Sequence, residues 1–210
     1  VSANGTRTRL FRNIANITMD IDGVEQLEVR ALGGTDALSV DDLSGTATTQ
    51  VLFDINASGG GADGAADTVQ VNGSPAADSA TFATAGNQLQ VGGLAPAVAV
   101  IGAEPTVDGL TINGQGGDDL LSTQIAAGTG IRLTLDGGIN GSAGDLAVVL
   151  GESFGETFVI TAVAANARVN RSLPNAAGLD IVGAERLQLD TLGGADAVST
   201  QFLASTRQFL

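Results

Sequence analysis

Short runs of alternating apolar and polar residues recur along the chain about every ten positions. Such runs are Leu27–Val29, Ala37–Val40, Val51–Ile55, Thr68–Val71 and Gln88–Val91 in the first half. Leu110–Ile112, Ile131–Leu135, Leu146–Leu150, Phe158–Thr161 and Leu187–Leu189 follow in the second. A period of two places Leu27 with Val29, Leu133 with Leu135 and Leu187 with Leu189 on one face of a strand. Clusters of Gly, Asn and Asp separate the runs and mark turns. The Ala-rich stretch 162–167 is too short for an amphipathic helix, so an all-β chain is expected. The longest apolar run, near 95–103, is far short of the roughly 20 residues of a membrane-spanning helix.

The pattern repeats at a larger scale. Residues 23–40 read GVEQLEVRALGGTDALSV, and residues 183–200 read GAERLQLDTLGGADAVST. Gly23, Glu25, Leu27, Leu32, Gly33, Gly34, Asp36 and Ala37 return without a gap as Gly183, Glu185, Leu187, Leu192, Gly193, Gly194, Asp196 and Ala197. A looser copy runs through Gly102, Glu104, Leu110, Ile112, Gly116, Gly117 and Asp119. Asp67 to Gly73 is echoed by Asp145 to Gly151. One repetitive region over 1–210 is expected, with units 1–65 (partial), 66–143 and 144–210. Repetition of this kind favours stacked units over a unique core. A repeat solenoid of the parallel β-helix or β-roll type is expected, with tandem β-sandwich-like modules as the alternative. Scarce aromatics favour the solenoid: there are seven Phe and no Trp or Tyr. Both ends look like cuts through a longer chain.

Composition narrows the chemistry. The chain has no His, Cys or Lys. Soft-metal centres and His-dependent triads are thereby excluded. A formal net charge of −14 opposes nucleic acid and anionic membranes. Eleven acids and no positive side chain lie between Arg30 and Arg132, a stretch that repels itself. Asp41/Asp42 and Asp118/Asp119 are the paired carboxylates. Neighbours on a strand face opposite ways, so neither makes a natural acid/base dyad, and no enzyme is expected. Asn4, Asn16, Asn56, Asn72, Asn140 and Asn170 stand in Asn-x-Ser/Thr, read here as turn chemistry in preference to glycosylation.

The Gly-Gly-x-Asp turns, each followed by an aliphatic strand, resemble the haemolysin-type (RTX-like) calcium-binding repeat. Segments 31–36, 40–46, 66–73 and 135–138 carry the likeness. As a whole the chain resembles the degenerate region beside such arrays in large secreted bacterial proteins. The resemblance implies secretion or a cell-surface location and calcium-linked folding. Calcium takes six to eight hard oxygens. Asp118 and Asp119 lie in the stretch nearest the nonapeptide motif, Asn113–Leu121. Asp36, Asp196, Asp63 and Asp67 complete the candidate ligands. The motifs are scattered, and Gly137–Asp145 lacks a correctly spaced acid, so no full calcium array is expected. The expected function is a non-catalytic extracellular spacer of an adhesin-like or matrix protein. A self-assembling filament or surface-layer subunit is the alternative, because Arg9-Leu10-Phe11 at one end and Phe202-Leu203 and Phe209-Leu210 at the other offer no polar cap. A polysaccharide-acting β-helix enzyme is a distant third.

Overall fold

The computed structural model describes residues 1–124, 130–173 and 177–201. Phe202, Leu203, Phe209 and Leu210 lie outside them. The described residues form an all-β molecule with a single 3-10 turn, Ile14–Asn16. In chain order the strands are β1 (Ser2–Asn4), β2 (Arg7–Arg12), β3 (Ile17–Ile21), β4 (Gln26–Leu32), β5 (Ala37–Val40), β6 (Gln50–Ala57), β7 (Thr68–Asn72), β8 (Ser79–Ala85), β9 (Gln88–Gly92), β10 (Ala97–Ile101) and β11 (Gly109–Asn113). There follow β12 (Gly116–Gly117), β13 (Leu120–Gln124), β14 (Arg132–Asp136), β15 (Ile139–Asn140), β16 (Leu146–Leu150), β17 (Thr157–Val163), β18 (Asn166–Leu173), β19 (Ala177–Val182), β20 (Arg186–Asp190) and β21 (Ala197–Gln201).

Two eight-stranded sheets make up the body. The first has the order β4-β6-β10-β9-β8-β13-β16-β20, and the second β5-β7-β11-β14-β19-β18-β17-β21. The chain passes back and forth between them. Pairing is parallel except inside two three-stranded meanders, β8–β10 in the first sheet and β17–β19 in the second. The 162–167 stretch is the hairpin between β17 and β18, with Ala164 at a positive φ. The apolar run near residue 98 is β10, whose Val98, Ala99 and Val100 are all buried. A small antiparallel sheet, β1-β2-β3, stands beside the β4–β5 end, and β12 pairs with β15.

Alternation creates the core. In the second sheet, Leu38, Val69, Leu110, Leu133 and Leu179 stand in one row across five strands. Val40, Val71, Ile112, Leu135 and Ile181 make the next, and all ten side chains are buried. In the first sheet Leu27, Val51 and Val98 align, as do Val29, Phe53 and Val100. One apolar cluster contains residues from both sheets. Like-with-like rows of aliphatic side chains suit parallel register, and that is why the core manages without Trp or Tyr.

The 23–40 and 183–200 copies occupy opposite ends of both sheets. β4 and β20 are the outermost strands of the first sheet, and β5 and β21 those of the second. Leu32 and Leu192 share a positive φ, 70° and 60°, rare for such a side chain and a sign that both turns fold alike. The looser middle copy runs the other way between sheets: its Leu110 and Ile112 lie in the second sheet and its Asp119 leads into the first.

Replacing Ile112 by Ala is expected to lower unfolding free energy by about 2–5 kcal/mol. Thr111→Ala, on the other face of the strand, should cost no more than about 1 kcal/mol in the same urea titration.

Candidate functional site: the carboxylate ladders at the sheet crossings

Most crossings from sheet to sheet end in an acid immediately before the next strand. Asp36, Asp67, Asp108, Glu156 and Asp196 stand there on the way into the second sheet. Glu25 precedes β4, and Asp78, Asp119, Asp145 and Glu185 stand on the way back into the first. A strand leaving a turn begins with an amide that the sheet ladder does not reach, and a buried amide needs an acceptor. The neighbouring turn supplies it. The Asp78 amide donates to Asp119 Oδ1 (2.7 Å), the Asp119 amide to Asp145 Oδ1 (2.7 Å) and the Asp145 amide to Glu185 Oε2 (2.9 Å). On the other side, Asp36 N–H donates to Asp67 Oδ1 (2.7 Å) and Asp67 N–H to Asp108 Oδ1 (2.9 Å). A third, short ladder joins Glu156 N–H to Asp196 Oδ1 at 2.9 Å.

Each link is doubled by a backbone bond in the opposite sense. Leu120 N–H donates to the Asp78 carbonyl, Leu146 N–H to that of Asp119 and Arg186 N–H to that of Asp145. Some acids also close their own turn: Asp78 Oδ2 accepts from Ser74 N–H and Asp108 Oδ2 from Glu104 N–H. The crossing at Ile131 carries no acid. There the ladder stops, and the Asp108 amide turns to the Glu104 carbonyl.

Glycine makes room for the carboxylates. A Cβ on Gly114 would lie 2.0 Å from Asp119 Oδ2 and 2.9 Å from the Gly137 carbonyl oxygen. One on Gly137 would lie 2.4 Å from Asp145 Oδ2. The motif therefore reads as strand, Gly, variable turn, acid, strand. The variable part explains Gly137–Asp145. Its acid is misplaced for a nonapeptide repeat, yet Asp145 is wholly buried and sits in the ladder between Asp119 and Glu185.

The six acids singled out as calcium ligands fall in three places. Asp36, Asp63 and Asp67 share one corner, where Asp63 accepts the amides of Gly34 and Ala65. Asp118 and Asp119 share another but face different ways: Asp118 Oδ1 takes the amides of Ala143 and Gly144. Asp196 stands at the far edge, on the turn into β21. Among the described residues no group of three or more acidic side chains gathers that could hold a metal ion. An oxygen of each of Asp63, Asp67, Asp118, Asp119 and Asp196 is already taken by a backbone amide, whereas calcium draws on six to eight oxygens.

Asp78, Asp108, Asp145, Glu156 and Glu185 were not foreseen as members. Their signal was position, directly before an alternating run, and not spacing from a Gly-Gly pair. Arg171 was also missed. Fully buried in β18, its Nη1 lies 3.1 Å from Glu156 Oε1 and 3.7 Å from Glu152 Oε1, with its guanidinium 5.9 Å from the centre of the Phe154 ring. Two of the Asn-x-Ser/Thr asparagines lie in strands: Asn72 donates across to Ser39 and Asp41, and Asn56 along its own strand to Asp54.

Burial raises the pKa of four of the ladder acids. It pushes the Asp119 carboxyl up to about 6, with Asp145, Asp78 and Asp118 adding repulsion. Burial also raises Asp145, Asp67 and Asp36. Asp63 is held below the ordinary carboxyl range by the amides of Ala65 and Gly34. The Oδ2 atoms of Asp119 and Asp145 are buried without a hydrogen-bond partner.

An acid whose pKa is raised by folding stabilises most when protonated in both states. For Asp119 that contribution is fully present below about pH 4, the unfolded value. It is lost as pH rises through about 6. Melting temperature should therefore fall between these pH values, and Asp119→Asn should flatten that slope while melting no lower than the parent at pH ~8. Gly114→Ala should destabilise by more than about 3 kcal/mol, since backbone and carboxylate both block the new methyl. Arg171→Ala, which strands Glu156, should cost about 3–5 kcal/mol, and the double variant Arg171→Met/Glu156→Gln distinctly less, both read by urea unfolding.

No family model, curated protein or solved structure matches the chain.

Proposed function

We propose that this chain is a non-catalytic structural module of a secreted, adhesin-like or matrix protein, built as a solenoid-type stack. The observation that carries the reading is the use of the turn acids. Residues that could bind a metal or move a proton are instead consumed, one per turn, as acceptors for backbone amides of the next turn. A scaffold built this way continues by repetition, which suits a spacer. The paired acids also have separate duties. Asp41 accepts from Asn72, Asp42 caps Ser44, and Asp118 and Asp119 serve different turns. No helix among the described residues is long and apolar enough to cross a membrane. Placement outside the cell rests on the resemblance of the Gly/Asp turns to secreted calcium-binding repeats.

The test is thermal unfolding in millimolar calcium and in excess EGTA. The two curves should agree within about 1 °C. An ion held at a hundred times its Kd would add about 2.7 kcal/mol, and a shift of roughly 5–11 °C would overturn the metal-free reading. Release of reducing ends from acidic polysaccharides would overturn the non-catalytic one.

A further inference from the structure

We infer that the β20–β21 end of one copy of this chain docks head to tail on the β4–β5 end of a second copy, extending both sheets in parallel register. The inference goes beyond the spacer reading and does not depend on it.

Direction is the first ground. Following the pairings across each sheet, β4 and β20 run the same way, and so do β5 and β21. Either end can therefore follow the other by translation and twist, as an ordinary parallel neighbour.

Sequence is the second. The strands at the two ends are the two copies of the internal repeat, with the same turn between them. A copy of β4–β5 set beside β20–β21 places like next to like.

The ladders are the third, because they have a sense. In each link the amide belongs to the strand nearer the β4–β5 end and the carboxylate to the strand nearer the β20–β21 end. Continued outward, the Asp196 and Glu185 amides at the far end call for carboxylates from a following turn. Asp36 and Glu25 of a second copy hold those places, being the counterparts of Asp196 and Glu185 in the repeat. The Ala197 and Arg186 amides donate inward, to the Glu156 and Asp145 carbonyls. The alternate groups, at Val198 and Leu187, thus face outward. On β5 the outward set includes Ser39 and Asp41, whose carbonyl and amide bond Val1. Ala37, two residues earlier, faces the same way and is left for the partner.

Exposure agrees. Val198 and Leu192 are 51% and 59% exposed at one end and Leu32 58% at the other, whereas Phe158, the register partner of Val198, is buried. A cleft of about 1120 Å3 lies between the β4–β5 edge and the overhanging small sheet. It is lined by apolar Phe11, Met19 and Leu32 and by charges of both signs, Arg9, Arg12 and Arg30 with Glu28, Asp36 and Asp41.

The experiment is sedimentation velocity over a wide concentration range on the parent chain, Val198→Pro and Ala37→Pro. Proline removes one outward amide and is tolerated where an edge amide faces solvent. Circular dichroism melting checks that each variant folds, and Val198→Lys and Ala37→Lys replace any that does not. The parent should form concentration-dependent, open-ended oligomers. Each variant should self-associate at least about tenfold more weakly. An equal mixture of the two should form a 1:1 dimer and nothing larger, since only one head and one tail remain open. A parent that stays monomeric would assign these edges to another occupant and overturn the inference, leaving the spacer reading intact. Variants that associate as strongly as the parent would overturn it too.

Discussion

The first amide after a sheet-to-sheet turn must find an acceptor, and at six of the crossings the acceptor is a carboxylate from the adjoining turn. That requirement fixes an acid before the strand, a glycine beneath it and the lateral alignment of neighbouring turns. Sheet pairing alone would allow a strand to slip by two residues without exposing its apolar face. A carboxylate locked to one particular amide does not allow the slip. The aliphatic rows supply the driving force, and the ladders choose the register.

The arrangement has a cost in like charge. Adjacent strands lie about 4.8 Å apart. Two carboxylates at that distance repel by roughly 3 kcal/mol at an effective dielectric near 20. A hydrogen bond to a charged group contributes about 1.5–3 kcal/mol. The two nearly cancel, so the interior of a ladder is where a proton is most easily retained. Asp119, with acidic neighbours on both sides, is raised to about 6. In the third ladder the same conflict is met by a cation, with Arg171 against Glu156 and Glu152.

The all-β class and the repeat were legible because alternation and the 23–40/183–200 identity are local properties of the chain. Strands β1–β3, β8, β10, β12, β13, β15, β18, β19 and β21 escaped notice; in β8 the Thr-, Ala- and Ser-rich run Ser79–Ala85 hides an alternation that only burial reveals. The acids were found as a class and misjudged in detail. A nonapeptide template asks for fixed spacing between glycine and aspartate. The fold asks only that the acid precede a strand, so Asp145 looked misplaced and Asp108 ordinary. Arg171 could not have been read at all, because its partners are set by the pairing of β17 with β18.

The two meanders carry a constraint on how such a chain can change length. β8–β10 adds strands to the first sheet alone, and the crossings at Asp78, Asp119, Asp145 and Glu185 each then lead from one place in the second sheet to a place three further along in the first. β17–β19 adds the same number to the second sheet, and both sheets finish at eight strands with their last members again abreast. An odd meander inserted or lost would leave one sheet overhanging the other, with an apolar face uncovered. Growth in this architecture is therefore by matched pairs of insertions, one in each sheet.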